Sequence, residues 1–273
     1  LFRSVDLETD GFCPFLTGRG ILSVQLSVEE GTGYYLQWTP KVREEVKEIM
    51  ENPNIGKTGH NVSKFDRKWF RKAGIRYRGK IFDTLNAAQL LNENLRDKSL
   101  DVLTTEFTTL ENHKDELKAF KKSQGKAFEF KNVPESIMVP YGCGDVDAAL
   151  RLKNFFEPGL KKQGLMPLFN LQMRGMRLFS ECEYSGWKIN VPLIDELADI
   201  YEKKINNLQR KLGTVNVNSW QQVGSVLYDK WNLPAVGRPK KWGGPLERNT
   251  AEETLLKLSS LAGTTDEQRQ FIT

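Results

Sequence analysis

The opening segment of this chain places three carboxylates at alternate positions in an otherwise apolar run. In VDLETDGF, residues 5–12, Asp6, Glu8 and Asp10 follow one another two positions apart. Side chains spaced in this way on a strand point to one face, where like charges repel each other and are costly to bury. A fold that keeps this strand in its interior must therefore supply water, an outward turn or a cation beside the carboxylates.

Strand-like and helix-like segments alternate through the first half of the sequence. After the opening strand, short runs of apolar residues predict further strands, at residues 21–28, 33–38, 54–59 and 81–84. Helical spacing predicts helices between and after them, one following Pro40 and others over residues 63–74, 84–91 and 99–107. Three consecutive strands followed by alternating helices and strands predict an α/β domain with a mixed sheet.

Beyond about residue 155 the pattern is mostly helical, with helices predicted over 167–186 and 192–213. A chain of 273 residues exceeds the usual size of one domain. We therefore predict two domains, residues 1–160 and 161–273. The sequence has no signal peptide or long apolar run, and its three cysteines are scattered, which favours a reducing, cytoplasmic location and leaves an organellar one open.

The scarcity of histidine restricts the metal chemistry that the chain can perform. Only His60 and His113 are present, so a site with several histidine ligands is not available. A metal bound here would be held by carboxylates, which favour Mg or Mn over Zn.

A basic segment with interleaved aromatic residues follows the strand predicted at residues 54–59. Residues 64–80 carry eight Lys or Arg and one acid, together with Phe65, Trp69, Phe70 and Tyr77. This pattern suits a polyanion whose bases stack on aromatic rings. The alternative, which we favour for the segment taken alone, is a helix with a solvated cationic face.

Two later motifs carry isolated acids that could join the opening pair. Asp66 begins the basic helix in HNVSKFD, and its spacing from Ser63 is also that of a helix-capping box. Tyr141 and Asp145 in YGCGD are four residues apart and would share one face of a helix. By itself, this second pair is also common at the start of a helix.

In order and spacing, DLETDG, HNVSKFD and YGCGDVDAAL resemble the motifs of the DEDDy-type 3′–5′ exonucleases. The resemblance implies an RNase H-like fold and two divalent cations, Mg or Mn. It places Asp6, Glu8 and Asp145 on the first cation, with Asp6 and Asp66 near the second. Tyr141 would orient the attacking water.

The resemblance further implies that Asn61 contacts the substrate strand near its 3′ end, and we add Phe65 of the basic segment to the predicted contacts. We expect Asp10 to lie in a turn, Asp83 to cap a helix, and Asp147 to point away from the site, so that none of the three binds a metal.

Gly142 and Gly144 depart from the family pattern, which usually has better helix formers at these positions. Each glycine costs about 1 kcal/mol in a helix interior relative to alanine. Either the turn that carries Tyr141 is loosened, or close backbone packing requires residues without a side chain.

The second half resembles the region that follows the exonuclease domain in family A DNA polymerases, the class of bacterial DNA polymerase I. The segments LQMRGMRLFSECEYSGWKINVPLIDEL, VNVNSWQQVGSVLYDKWNLP and GRPKKWGGPLERNTAEETLLKL carry this resemblance. It implies the base of a helical thumb, with the palm and fingers expected after residue 273. Arg238, Lys240 and Lys241 would contact backbone phosphates, or they are solvated charges.

The predicted function is therefore a monomeric, metal-dependent 3′–5′ proofreading exonuclease that acts on single-stranded or frayed DNA 3′ ends. In the full-length protein its partner would be a primer–template duplex. Two alternatives stay open, an RNase D-like enzyme that trims RNA 3′ ends and an inactive exonuclease fold that binds DNA. No polymerase active site is expected within these residues.

Overall fold

The computed structural model describes residues 2–237, 239, 243–261 and 263–272. They form two compact units, the first ending at Trp187 and the second beginning at Lys188. We expected a boundary near residue 160. The helix that follows this point instead packs within the first unit, where Phe169 and Met173 join the main hydrophobic core.

The first unit is built on a five-stranded mixed sheet in the order β3-β2-β1-β4-β5. β1 pairs antiparallel with β2 and parallel with β4, so the opening strand lies at the centre of the sheet. The predicted strands are confirmed. They are β1 (Phe2–Thr9), β2 (Ile21–Ser27), β3 (Tyr34–Gln37), β4 (Gly56–Gly59) and β5 (Ile81–Asp83).

Helices cover this sheet. The predicted helices are confirmed as α1 (Pro40–Glu51), α2 (Asp66–Lys72), α3 (Thr84–Leu91), α4 (Leu100–Phe107) and α7 (Met166–Ser185). The structure adds α5 (Asp115–Gln124), which was not predicted, and α6 (Glu135–Lys162), which places Tyr141 and Asp145 on one helix as expected. No helix of the described residues is both long and apolar enough to span a membrane.

The second unit is helical, as predicted for this part of the chain. Its helices are α8 (Val191–Leu212), α9 (Trp220–Gly224), α10 (Glu252–Ser259) and α11 (Asp266–Ile272), with a π-helical turn at Ser225–Lys230. A small core of its own contains Val223, Leu227, Tyr228, Leu258 and Ile272. Arg238, Lys240 and Lys241 lie outside the described residues, so their predicted phosphate contacts remain a prediction.

The central strands carry apolar residues on one face and polar residues on the other. Val5 and Leu7 alternate with Asp6 and Glu8 along β1, and in β2 Gln25 is the register partner of Asp6. The polar face of β2 is buried as well, since Gln25 has no exposed surface. Helix α6 lies over this face, which brings a third sequence motif next to the carboxylates of β1.

The two unusual glycines of α6 allow this close approach. A Cβ atom at Gly142 would lie 2.7 Å from Cγ of Gln25, and one at Gly144 would lie 2.2 Å from the ring of His113. Helix α6 is continuous through both positions. The second of the two explanations for the glycines is thus confirmed, because the packing leaves no room for a side chain.

We predict that Gly142→Ala destabilises the first unit by about 1–3 kcal/mol, despite the better helix propensity of alanine, because the added methyl overlaps the buried Gln25. Urea unfolding followed by circular dichroism measures this change. Gly175→Ala in α7 is the matched control, since its nearest neighbour would be Phe179 at 3.9 Å. The control should be neutral or stabilising, and equal destabilisation by both variants would contradict the packing argument.

Candidate active site

Three carboxylates from β1 and α6 meet at one point beside the central strand. One oxygen each from Asp6, Glu8 and Asp145 lies within 4.8 Å of the others. Asp6 and Glu8 share a face of β1 because they are two residues apart. Asp145 reaches them from α6, with its side chain almost fully buried. The acids brought together here are separated by more than 130 residues of sequence.

Asp66 lies at the edge of this group, at the first position of α2. It is buried, and its Oδ1 atom has no hydrogen-bond partner among the described residues. The structure does not support the capping alternative, since α2 begins without a side-chain cap and the Ser63 hydroxyl is also unpartnered. A buried carboxylate oxygen without a partner is unfavourable unless a cation or water satisfies it.

Burial and mutual repulsion strongly perturb these acids. Burial raises the pKa of Asp6 to about 7, and the negative charge of Asp145 acts in the same direction. Burial, followed by the charge of Asp6, raises the pKa of Glu8 and that of Asp66 well above their usual ranges. The site thus favours protonation of its carboxyl groups, or else a compensating positive charge.

Two residues with no predicted role contact Asp145, and the ammonium group of Lys114 supplies part of this compensation. His113 Nε2 lies 2.7 Å from Oδ1 of Asp145, and Lys114 Nζ lies 2.8 Å from the same oxygen. Lys114 also pairs with Asp101 of α4 at 2.6 Å. Both residues precede α5 in a loop and have no fixed spacing from Asp145, so no sequence pattern indicated them. The one signal was Gly144, whose missing side chain leaves room for the His113 ring.

Tyr141 lies one helical turn before Asp145 on α6, as predicted. Burial raises the pKa of the Tyr141 hydroxyl far above its usual range, and the charges of Asp145, Glu8 and Asp6 add to this effect. The ammonium group of Lys114 lies 5.4 Å from the centre of the tyrosine ring. Tyr141 therefore keeps its proton and offers the site a neutral hydroxyl.

The two residues predicted to contact a nucleic-acid strand lie between β4 and α2. Asn61 adopts a left-handed backbone conformation with φ of 60°, and its backbone N–H donates to Oδ1 of Asp83 at 3.1 Å. Phe65 is half-buried, with its ring centre 6.3 Å from that of Trp69. These positions are compatible with strand contacts, which remain a prediction.

The three acids that we excluded as ligands lie outside the cluster and have structural partners. Asp83 caps α3 by accepting from the Leu85 amide at 3.0 Å. Asp10 accepts from the Gly20 amide in the loop after β1, and Asp147 accepts from the Gly31 amide.

Of the two interpretations of the basic segment, base stacking does not hold for three of its four aromatic residues. Trp69, Phe70 and Tyr77 are buried in the main core. Their spacing reflects the inner face of α2 and the segment after it, while the cationic residues point elsewhere.

The carboxylate cluster on an exonuclease-type mixed sheet defines a candidate metal-dependent nuclease site. The family described as 3′–5′ exonuclease, an exonuclease domain of DNA polymerase A, matches residues 4–161. The chain therefore belongs to this family, and the predicted RNase H-like fold is confirmed.

The chain is also similar to DNA polymerases of bacteria and phages. It is 26% identical to the DNA polymerase of Escherichia phage T5 over 80% of this chain and 29% of that protein. It is 26% identical to DNA polymerase I of Borreliella burgdorferi over 96% of this chain and 30% of that protein. The chain thus spans less than a third of the length of these relatives.

Two solved structures share the fold. The polymerase domain of Pol1 from M. smegmatis, in complex with a DNA primer–template and dNTP, matches 99% of this chain and 43% of that one, with 18% identity and a TM-score of 0.68. NrnC of Brucella melitensis matches 68% of this chain and 86% of that one, with 20% identity and a TM-score of 0.55.

The raised carboxyl pKa values predict that the metal-free protein loses stability as the pH rises. A folded-state pKa above the unfolded value means that the folded state holds the proton more tightly. The stabilising contribution of the Asp6 proton to the free energy of unfolding is therefore fully present below pH 3.8 and is lost by about pH 7. Each pKa unit corresponds to about 1.4 kcal/mol. We expect the melting temperature in EDTA to fall across this range, with a smaller fall in Asp6→Asn. An identical pH dependence in the two proteins would contradict the assignment.

A second prediction concerns the cation that pairs with Asp145. Lys114→Gln should destabilise the metal-free protein by about 3 kcal/mol, because it leaves a nearly buried carboxylate without its ion-pair partner. Adding Mn²⁺ should then raise the melting temperature more than it does in the unsubstituted protein. Lys118→Gln is the control, since Lys118 pairs with the same Asp101 but not with Asp145. An unchanged metal-free melting temperature in Lys114→Gln would refute this role.

Proposed function

We propose that this chain hydrolyses phosphodiester bonds at DNA 3′ ends by a two-metal mechanism and serves as the proofreading exonuclease of a longer family A DNA polymerase. The observation that carries the proposal is the convergence of Asp6, Glu8 and Asp145 within 4.8 Å, with an unpartnered oxygen of Asp66 beside them. Membership of the 3′–5′ exonuclease family and similarity to bacterial and phage DNA polymerases support it.

The donor set fits hard divalent cations. Carboxylate oxygens are the ligands that Mg²⁺ and Mn²⁺ prefer. Burial, followed by the charges of neighbouring carboxylates, raises the pKa values of Asp6 and Glu8, and bound cations would offset that negative charge. Asp6, Glu8 and Asp145 would hold one ion, and Asp6 with Asp66 would hold the other. Ions held by these residues would supply activation of a water and stabilisation of the leaving oxygen.

The surrounding residues complete the chemistry in defined roles. Tyr141 keeps its proton, so it orients the attacking water by hydrogen bonding and does not act as a base. Lys114 retains Asp101 as its ion-pair partner when Asp145 engages a cation. Asn61 and Phe65 position the 3′ end of the strand. The site serves a bacterial or phage polymerase in the cytoplasm, and a single chain supplies every member of the carboxylate group.

The direct test is a nuclease assay on a single-stranded DNA 3′ end with Mg²⁺. Asp145→Ala should reduce the rate by more than about 100-fold, because even the loss of a residue that only hydrogen-bonds to a metal ligand can cost that much. Tyr141→Phe should cause a smaller loss. Asp147→Ala is the matched control, since it removes another carboxylate from the same helix. The partners of the Asp147 carboxylate are Gly31 and Arg151, so it takes no part in the cluster. Near-normal activity in Asp145→Ala would refute the mechanism.

The substrate class is tested in the same assay with an RNA strand of matched sequence. Faster digestion of DNA than of RNA supports the proofreading proposal. Preference for RNA would favour the trimming alternative, and no Mg²⁺-dependent digestion of either strand would favour an inactive DNA-binding fold.

A further inference from the structure

The cationic residues of the basic segment converge on a cavity that the carboxylate site does not use. This cavity, the arginine pocket, has a volume of about 300 Å³ and lies between α2, the segment after it, and α7. Its lining residues are Arg67, Arg71, Ile75, Arg76, Tyr77, Arg78, Arg177 and Glu181. Five arginines and one glutamate give the pocket a large excess of positive charge.

The single glutamate does not neutralise these arginines. Glu181 lies 3.3 Å from Arg67 and 3.5 Å from Arg71, so it is shared between two of them. Among the described residues, the side chains of Arg76 and Arg78 form no ion pair. Like charges held together in this way repel each other unless an anion joins them.

One arginine of the pocket is buried with an unused donor. The Arg67 side chain is only 5% exposed, and its Nη1 atom has no hydrogen-bond partner among the described residues. Burial and the nearby charge of Arg177 both lower the pKa of Arg67, which indicates that its positive charge is poorly compensated. A buried donor without an acceptor is unfavourable, and the more so when the group is charged.

Hydrogen bonds to backbone carbonyls hold the side chain of Arg177 and the backbone at Arg78 in position. Arg177 Nη2 donates to the carbonyl oxygens of Tyr77 and Gly79, at 3.1 and 3.3 Å. The fully buried Lys57 donates from Nζ to the carbonyl of Arg78 at 2.9 Å. An arrangement of cations that is set before binding reduces the entropy lost when an anion is captured.

We propose that the arginine pocket is a second binding site, specific for the phosphate group of a nucleotide. Arginine forks bind phosphate oxygens in pairs and remain charged, which suits this ligand. The core packing of Trp69, Phe70 and Tyr77 prevents these rings from stacking on bases, so the segment recognises phosphate and not base identity.

A neighbouring cavity offers room for the rest of a nucleotide. It has a volume of about 370 Å³, shares Arg177 with the arginine pocket, and combines the apolar side chains of Pro53, Ile81 and Met173 with the polar side chains of Lys80, Asn170 and Arg174. Pockets for small molecules commonly occupy about 300–1,000 Å³. The phosphate would lie among the arginines, with the nucleoside toward this mixed apolar and polar cavity.

The same phosphate chemistry could come from a free nucleotide or from a nucleic-acid strand. The proposal is tested by calorimetric titration of the whole chain in EDTA, with dAMP, deoxyadenosine and a short single-stranded oligonucleotide as separate probes. EDTA removes metal-dependent binding at the carboxylate cluster, so a failure here leaves the proposed nuclease function untouched. Asp145→Asn should bind dAMP as the unsubstituted chain does.

The test variant is Arg76→Gln combined with Arg78→Gln, since both side chains are exposed and can change without disturbing the core. We expect saturable binding of dAMP, no binding of deoxyadenosine, and a loss of dAMP affinity of about tenfold or more in this variant. The control variant, Lys41→Gln with Lys162→Gln, removes the same charge from exposed positions outside the pocket and should bind dAMP normally.

The pattern of losses identifies the source of the phosphate. If only the oligonucleotide loses affinity in the test variant, the pocket binds the phosphates of a strand. If neither dAMP nor the oligonucleotide responds to the test variant, or if the control variant loses as much affinity, the phosphate site is refuted.

Discussion

Repulsion among carboxylates is the constraint on which the rest of the first unit depends. Asp6 and Glu8 are forced to one face of a central strand by the geometry of the backbone, and α6 adds Asp145 to the same point. Without compensation this arrangement would be excluded from a folded interior. The loop before α5 supplies the ammonium group of Lys114 to offset this repulsion, and the His113 ring contacts Asp145 from the same loop. The site is therefore locally unfavourable, and the packing of the surrounding fold maintains it.

The elements of this fold were largely predictable from the sequence. Strand periodicity located β2, and the alternation of segments predicted the mixed sheet. The acids of the site were identifiable because Asp6, Glu8, Asp66, Tyr141 and Asp145 belong to local motifs with fixed spacing. The boundary after the exonuclease region was less accessible. Helix α7 begins after the residues that match the family, yet its apolar face packs into the first core.

What the sequence concealed depended on tertiary packing. Lys114 and His113 stand in a loop with no periodicity, and only the three-dimensional structure brings them to Asp145. The sequence of the basic segment left its role ambiguous for a related reason. Its aromatic residues and its arginines alternate along the chain, but folding separates them, with the rings in the core and the guanidinium groups around a cavity. Composition alone cannot distinguish a stacking surface from the two sides of a helix.

The contact between Gly144 and His113 has a consequence for how this site can evolve. A Cβ atom at position 144 would occupy the space of the imidazole ring, so a chain with any larger residue there cannot keep the ring of residue 113 in its place against Asp145. The two positions are therefore expected to vary together among relatives. A lineage that lost the histidine would be free to restore an ordinary helix-forming residue at 144, whereas one that retains it is bound to glycine.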